Sequence, residues 1–151
     1  LSAERDRQAE RVGGATRDAG RGGKGADPDA TLLIMVGRGS LDAEALDETR
    51  RFVDLRRERT PVAMARTCFL ALAQPSLAET LAEAGGLAYD AIVVQPHLLF
   101  SGELLTTVRR QVEEASDRFP WHEWRLCRHL GAEPEVVAAV VARLQLRQPP
   151  P

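Results

Sequence analysis

The feature that most constrains this chain is an alternation, repeated four times, between a short apolar run and a stretch with helical periodicity. Residues 31–36 (TLLIMV) are continuously apolar and stop at Gly37, the pattern of a strand buried on both faces. Residues 42–58 carry Ala45, Leu46, Phe52, Val53 and Leu55 near helical spacing, with Asp42 placed to cap the start and arginines crowding the end. Pro61 opens a second strand predicted over 62–69, and Pro75 suits the first turn of a helix running to Ala84, where Gly85-Gly86 ends it. Residues 90–95 (DAIVVQ) read as a third strand. Residues 102–119 read as a helix with Leu104, Leu105, Val108 and Val112 on one stripe, 124–130 as a fourth strand, and 133–146 as a last helix with Pro134 at its start.

Crossovers of this length join parallel neighbours through right-handed connections. The expected fold over 31–147 is therefore α/β, a three-layer sandwich with a four-stranded parallel sheet and flanking helices. Residues 1–30 hold half of the glycines, balanced charges and almost no large apolar side chains, so burial there cannot offset the entropy of ordering. They are expected to form a tail or linker; the alternative, an RNA-binding arm, is weakened by charges that sum to zero. Residues 148–151 are expected to be a disordered end. The first residue is Leu1, not Met, which suits a piece of a longer product.

Composition removes several classes. Of 151 residues 44% are apolar, enough for one core, while 20 basic against 22 acidic residues leave a net charge of −2. That balance argues against a nucleic-acid partner. Two cysteines, Cys68 and Cys127, are too few for a disulfide scaffold and are expected as free thiols. No apolar run approaches the roughly 18 residues of a membrane span, and no signal peptide is visible, so no membrane partner and a cytoplasmic location are expected.

Ligands of open parallel sheets bind beyond the carboxyl ends of the strands, which directs attention to loops 37–40, 70–74, 96–103 and 130–133. In the first, Gly37-Arg38-Gly39-Ser40 brings a glycine turn to a strand end; its amides and Ser40 could face an anion, although Asp42 and Glu44 oppose one, and a plain tight turn explains it equally well. The third runs Gln95-Pro96-His97-Leu98-Leu99-Phe100-Ser101-Gly102-Glu103. Its leucines and Phe100 could wall a pocket for a flat apolar ligand, or pack beneath the sheet edge. His97 and His129 fall at or just past strand ends and could hold a divalent metal or accept a proton; unpaired histidines are more often hydrogen-bonded bystanders, His122 above all.

Four stretches taken in order, Leu33–Ser40, Cys68–Leu77, Ile92–Gly102 and His129–Gly131, resemble the sirohydrochlorin cobaltochelatases, class II chelatases whose relatives load iron. The resemblance implies ATP-independent insertion of a divalent metal, cobalt or iron, into a carboxylate-rich tetrapyrrole. Metal is then a substrate, and no organic cofactor is expected. It also implies a cleft between two similar lobes, supplied by homodimerisation or by fusion. This chain departs from the family pattern at both histidine positions, which hold Arg38 and Leu104. Arginine stays protonated and has no lone pair for metal or proton, but its fork matches a carboxylate. Glycine-arginine-glycine-serine at the first loop resembles the carboxyl-terminal lobe of two-lobe members.

The expected site is therefore Arg38, Gly39, Ser40, Leu99, Phe100, Ser101 and Gly102 against the substrate, with Glu103 and His97 as catalytic candidates and His97 and His129 on the metal side. The partner is a second, histidine-bearing lobe. Two other readings stay open: a catalytically silent lobe that only stabilises its partner, and a phosphoanion-binding, flavodoxin-like domain.

Overall fold

A computed structural model describes residues 26–144. Of the tail expected over 1–30, residues 1–25 lie outside these residues, as does the end expected over 148–151. Within the stretch read as linker, Pro28–Ala30 form a single 3-10 turn whose entry is capped by Asp27 Oδ1, which accepts from Asp29 N at 3.0 Å.

Four strands, β1 (Thr31–Gly37), β2 (Met64–Phe69), β3 (Ala91–Pro96) and β4 (Glu123–Leu126), form one parallel sheet in the order β2-β1-β3-β4. The helices between and after them are α1 (Ala43–Glu58), α2 (Leu77–Gly85), α3 (Glu103–Arg118) and α4 (Pro134–Val141). Strand β1 is central, paired on both sides and buried at every residue, which is why its sequence shows no polar alternation. Strand order reverses at β1, where the chain moves outward first to β2 and then to β3 and β4.

Alternate residues of β1 feed two cores. Leu32, Ile34 and Val36 pack with Cys68, Ile92, Val94 and Trp124 against Leu77, Leu81 and Ala84 of α2 and Val108, Val112 and Ala115 of α3. Leu33 and Met35 face the other way and meet Val53 of α1. The second core is much the smaller, because α4 lies out from the sheet: Val137, Val140, Val141 and Leu144 are all exposed.

Several boundaries differ from the sequence-based expectation for physical reasons. Helix α2 starts after Ser76, not at Pro75. Ser76 Oγ accepts from Glu79 N while the Glu79 carboxylate accepts from Ser76 N at 2.9 Å, a complete capping box. Strand β4 ends at Leu126 instead of 130, since only β3 pairs with it and that register stops at Val94–Leu126.

The amino-terminal edge of the sheet is closed by side chains. His122, only 6% exposed, reaches Tyr89 O from Nδ1 at 2.7 Å and Gly85 O from Nε2 at 3.0 Å, joining the end of α2 to the approach to β3. Trp124 Nε1 donates to Phe119 O at 3.0 Å. The Phe119 ring lies so close over Gly85 that an added Cβ would stand 2.3 Å from it, so the α2 terminus needs glycine there. His122 is thus a structural tie.

Candidate functional site

At the carboxyl-terminal edge the strand ladders continue into the loops. Leu70 N donates to Gly37 O and Ala71 N to Arg38 O, both at 3.0 Å, so the first and second loops are strapped together. His97 N donates to Val36 O at 2.8 Å, Leu130 N to Leu98 O at 2.9 Å, and Gln95 Nε2 to Arg128 O at 3.1 Å, tying the third loop to the end of β1, where the first loop begins, and the chain after β4 to β3 and the third loop. All four loops singled out in the sequence therefore form one rim.

Gly39 makes the first strap possible. It has φ +96°, and a Cβ there would fall 1.7 Å from Ala71 O, so its lack of a side chain is what lets the second loop close over the first. Ser40 Oγ accepts from Asp42 N at 3.0 Å and Asp42 Oδ1 accepts from Glu44 N at 3.0 Å. The first amides of α1 are thus already turned toward the chain's own oxygens, with a carboxylate standing where a phosphate would sit, which counts against the phosphoanion reading.

Arg38 is exposed and, among the described residues, makes no ion pair. The third loop divides: Leu98 packs beneath the edge, while Leu99, Phe100 (76% exposed), Ser101, Gly102 and Glu103 stand in solvent. Glu103 is the first residue of α3, where the helix dipole favours a carboxylate. Leu41 and Leu72 are exposed too, so the rim carries more apolar surface than the sequence suggested. A hollow of about 350 Å³ beside the strap is lined by Phe69, Leu70, Ala71, Leu72, Ala73, Gln74 and Ser76. Arg38, Phe100 and His129 do not line it.

The two histidines of the rim differ. His97 is half-buried with its ring 4.6 Å from that of Phe52, and its Nδ1 is buried without a partner. Burial holds its pKa below the ordinary 6.5, so the ring is neutral and keeps a lone pair at neutral pH. His129 is half-buried in a turn that Gly131 completes at φ +65°. No group of three or more His, Cys, Asp or Glu side chains among the described residues is arranged to hold a metal ion. Both thiols are free. Burial pushes Cys68 up to about 12, which makes it a core residue and no nucleophile. Burial also raises Cys127, against the opposing pull of Arg56 and Arg125.

Sequence reasoning missed Leu72, a non-glycine residue at φ +63° with 61% of its surface exposed, and the Phe52–His97 pair. Nothing local signals the first. Phe52 did show in the helical stripe of α1, but not whom it would meet.

Comparison with known proteins agrees with this geometry. The family model named CbiX matches residues 32–146. Among curated proteins, the chain is 31% identical over 86 residues to a sirohydrochlorin ferrochelatase of Priestia megaterium, covering 57% of this chain and 32% of that protein. It is 24% identical over 115 residues to a sirohydrochlorin cobaltochelatase of the same organism, covering 76% and 38%. The chain thus spans less than half the length of these relatives. Among solved structures, SirB from Bacillus subtilis with Fe3+ matches with a TM-score of 0.71 and 26% identity, over 80% of this chain and 47% of that one. A cobalamin (vitamin B12) biosynthesis CbiX protein from Marinobacter aquaeolei VT8 shares the fold with a TM-score of 0.63 and 23% identity, over 76% and 92%.

A four-stranded parallel sheet in this order, with a rim of joined loops beyond β1 and β3, places the protein among the class II chelatases. Within that class the chain belongs to the CbiX family.

Proposed function

We propose that this chain forms one lobe of a cytoplasmic chelatase that inserts a divalent metal, cobalt or iron, into sirohydrochlorin without ATP. Metal and tetrapyrrole are both substrates. The observation that carries the proposal is Arg38: a guanidinium presented at the rim with no carboxylate partner of its own among the described residues, on a chain whose curated relatives are named for sirohydrochlorin. Its fork pairs with substrate carboxylates, and Leu99 and Phe100 cover the flat apolar face of the ring. Gly39, Ser40, Ser101 and Gly102 shape the backbone around them.

Insertion displaces two pyrrole protons and needs a base to take them. Glu103 at the head of α3 and the neutral ring of His97 serve as acceptors, while His97 and His129 form the metal side of this lobe. Arg38 and Leu104 cannot donate a lone pair, so the metal-delivering histidines come from a second lobe. Titration of sirohydrochlorin against the chain beside a histidine-bearing CbiX-family lobe checks the assignment. Arg38→Ala is expected to weaken binding roughly tenfold, the loss of one charge-assisted pair. Absence of binding by wild type and variant alike removes the assignment.

A second reading, a silent lobe that only supports its partner, is favoured by the lack of a three-ligand cluster among the described residues. Arg38→His combined with Leu104→His separates the two: metal insertion gained by the double variant means that the remaining site is intact, which a silent lobe does not require.

A further inference from the structure

Leu72 combines two properties that a merely connecting residue does not need. Its φ of +63° lies in the left-handed region, which disfavours every side chain and leucine strongly. A glycine would occupy the same position without strain, and the neighbouring loop uses glycine freely. At the same time 61% of the leucine surface is exposed, so no core packing rewards the strained conformation. Strain that folding does not require is retained where a side chain has to be shown in a particular place.

That place is defined. Ala71, one residue earlier, is fixed by its hydrogen bond to Arg38 O and by the close approach of Gly39 to its carbonyl. Leu72 therefore follows directly on a residue held against the Arg38 backbone, and it lines the hollow of the second loop. An exposed apolar side chain on the same rim as an unpaired guanidinium matches a ligand with an apolar body and a carboxylate fringe.

We propose that Leu72 is a further substrate-contacting residue of the cleft, covering the macrocycle whose carboxylates pair with Arg38, and that its left-handed backbone is retained for that contact. The inference rests on the proposed sirohydrochlorin reading and extends it to the second loop.

Two variants separate the side chain from the strain. Leu72→Ala removes the contact and keeps the strain; Leu72→Gly removes both. With sirohydrochlorin as the probe and the histidine-bearing lobe present, both variants are expected to bind roughly tenfold more weakly than wild type. Leu72→Gly is expected to melt about 3 °C above Leu72→Ala, since only glycine relieves the backbone. Unchanged affinity in both variants alongside normal wild-type binding overturns this inference and leaves the sirohydrochlorin reading standing. Equal melting temperatures for the two variants overturn the strain argument and the inference with it. Reduced association with the second lobe at unchanged tetrapyrrole affinity, read by sedimentation, overturns it in favour of a lobe contact. No sirohydrochlorin binding by wild type overturns both readings together.

Discussion

The two ends of the parallel sheet begin from the same backbone pattern, ladders that run on past the strands, and differ in what is laid over them. At the amino-terminal edge Asp90 N donates to Ala30 O and Glu123 N to Asp90 O, and above these His122, Trp124 and Phe119 close the end with buried hydrogen bonds and ring contacts. At the carboxyl-terminal edge equivalent bonds strap the loops together, yet the side chains above them, Arg38, Leu72, Leu99 and Phe100, face solvent, and Leu72 is strained. On the proposed reading, stability and recognition fall to opposite ends of one sheet, in keeping with where ligands bind in open α/β folds.

Perturbing the closed end carries the largest expected effect. His122→Ala removes the ring that bridges the Tyr89 and Gly85 carbonyls, leaving at least one without its donor and a gap where the ring packed, and should lower stability by ~3 kcal/mol, a fall in Tm of about 10 °C. Gly85→Ala drives a methyl into the Phe119 ring and should lower stability by ~2 kcal/mol. Both are checked by thermal unfolding, and sirohydrochlorin affinity of the folded fraction should stay at the wild-type level; a matching loss of affinity would break the division between the two ends.

Gly39→Ala sharpens the comparison from the other side. The new Cβ collides with Ala71 O and the backbone sits at φ +96°, so about 2 kcal/mol of stability should be lost. Because the strap sets where Arg38 and Leu72 emerge, affinity should fall together with Tm, which His122→Ala does not produce. Calorimetry of the same variant measures both.

The smallest effect is a pH dependence. Burial lowers the pKa of His97, so the unfolded chain takes up the proton at a higher pH than the folded one. The stability contributed by burying a neutral ring is complete above about pH 6.5 and declines as pH falls below it. The Glu79 carboxylate, held low by Ser76, contributes in the same direction but only below its ordinary 4.5. Unfolding at about pH 7 and pH 5.5 should therefore show a decline that His97→Phe reduces.

Much of this was legible in the sequence because one-dimensional patterns govern it. A central parallel strand buried on both faces has to read as TLLIMV, and Asp42 could be placed as a helix cap from its position alone. The rim followed from the direction of the strands. What escaped depends on partners far along the chain: His122 is tied to carbonyls 33 and 37 residues away, and Phe52 lies tilted against a histidine from another element. The left-handed Leu72 escaped for a different reason, since the residue types that normally mark such a position, glycine and asparagine, are absent there. Pro75 was visible and misleading, because the capping box at Ser76 and Glu79 starts α2 two residues later.

On the proposed reading this lobe supplies carboxylate and ring contacts while metal-delivering histidines come from elsewhere. That reading is tested most directly by following metal insertion into sirohydrochlorin by absorbance, using a histidine-bearing CbiX-family lobe alone, with this chain, and with its Arg38→Ala variant. Adding this chain should accelerate insertion, and Arg38→Ala should remove most of the gain. Equal rates with the wild-type chain and the variant, or full insertion by this chain without any second lobe, would contradict that reading.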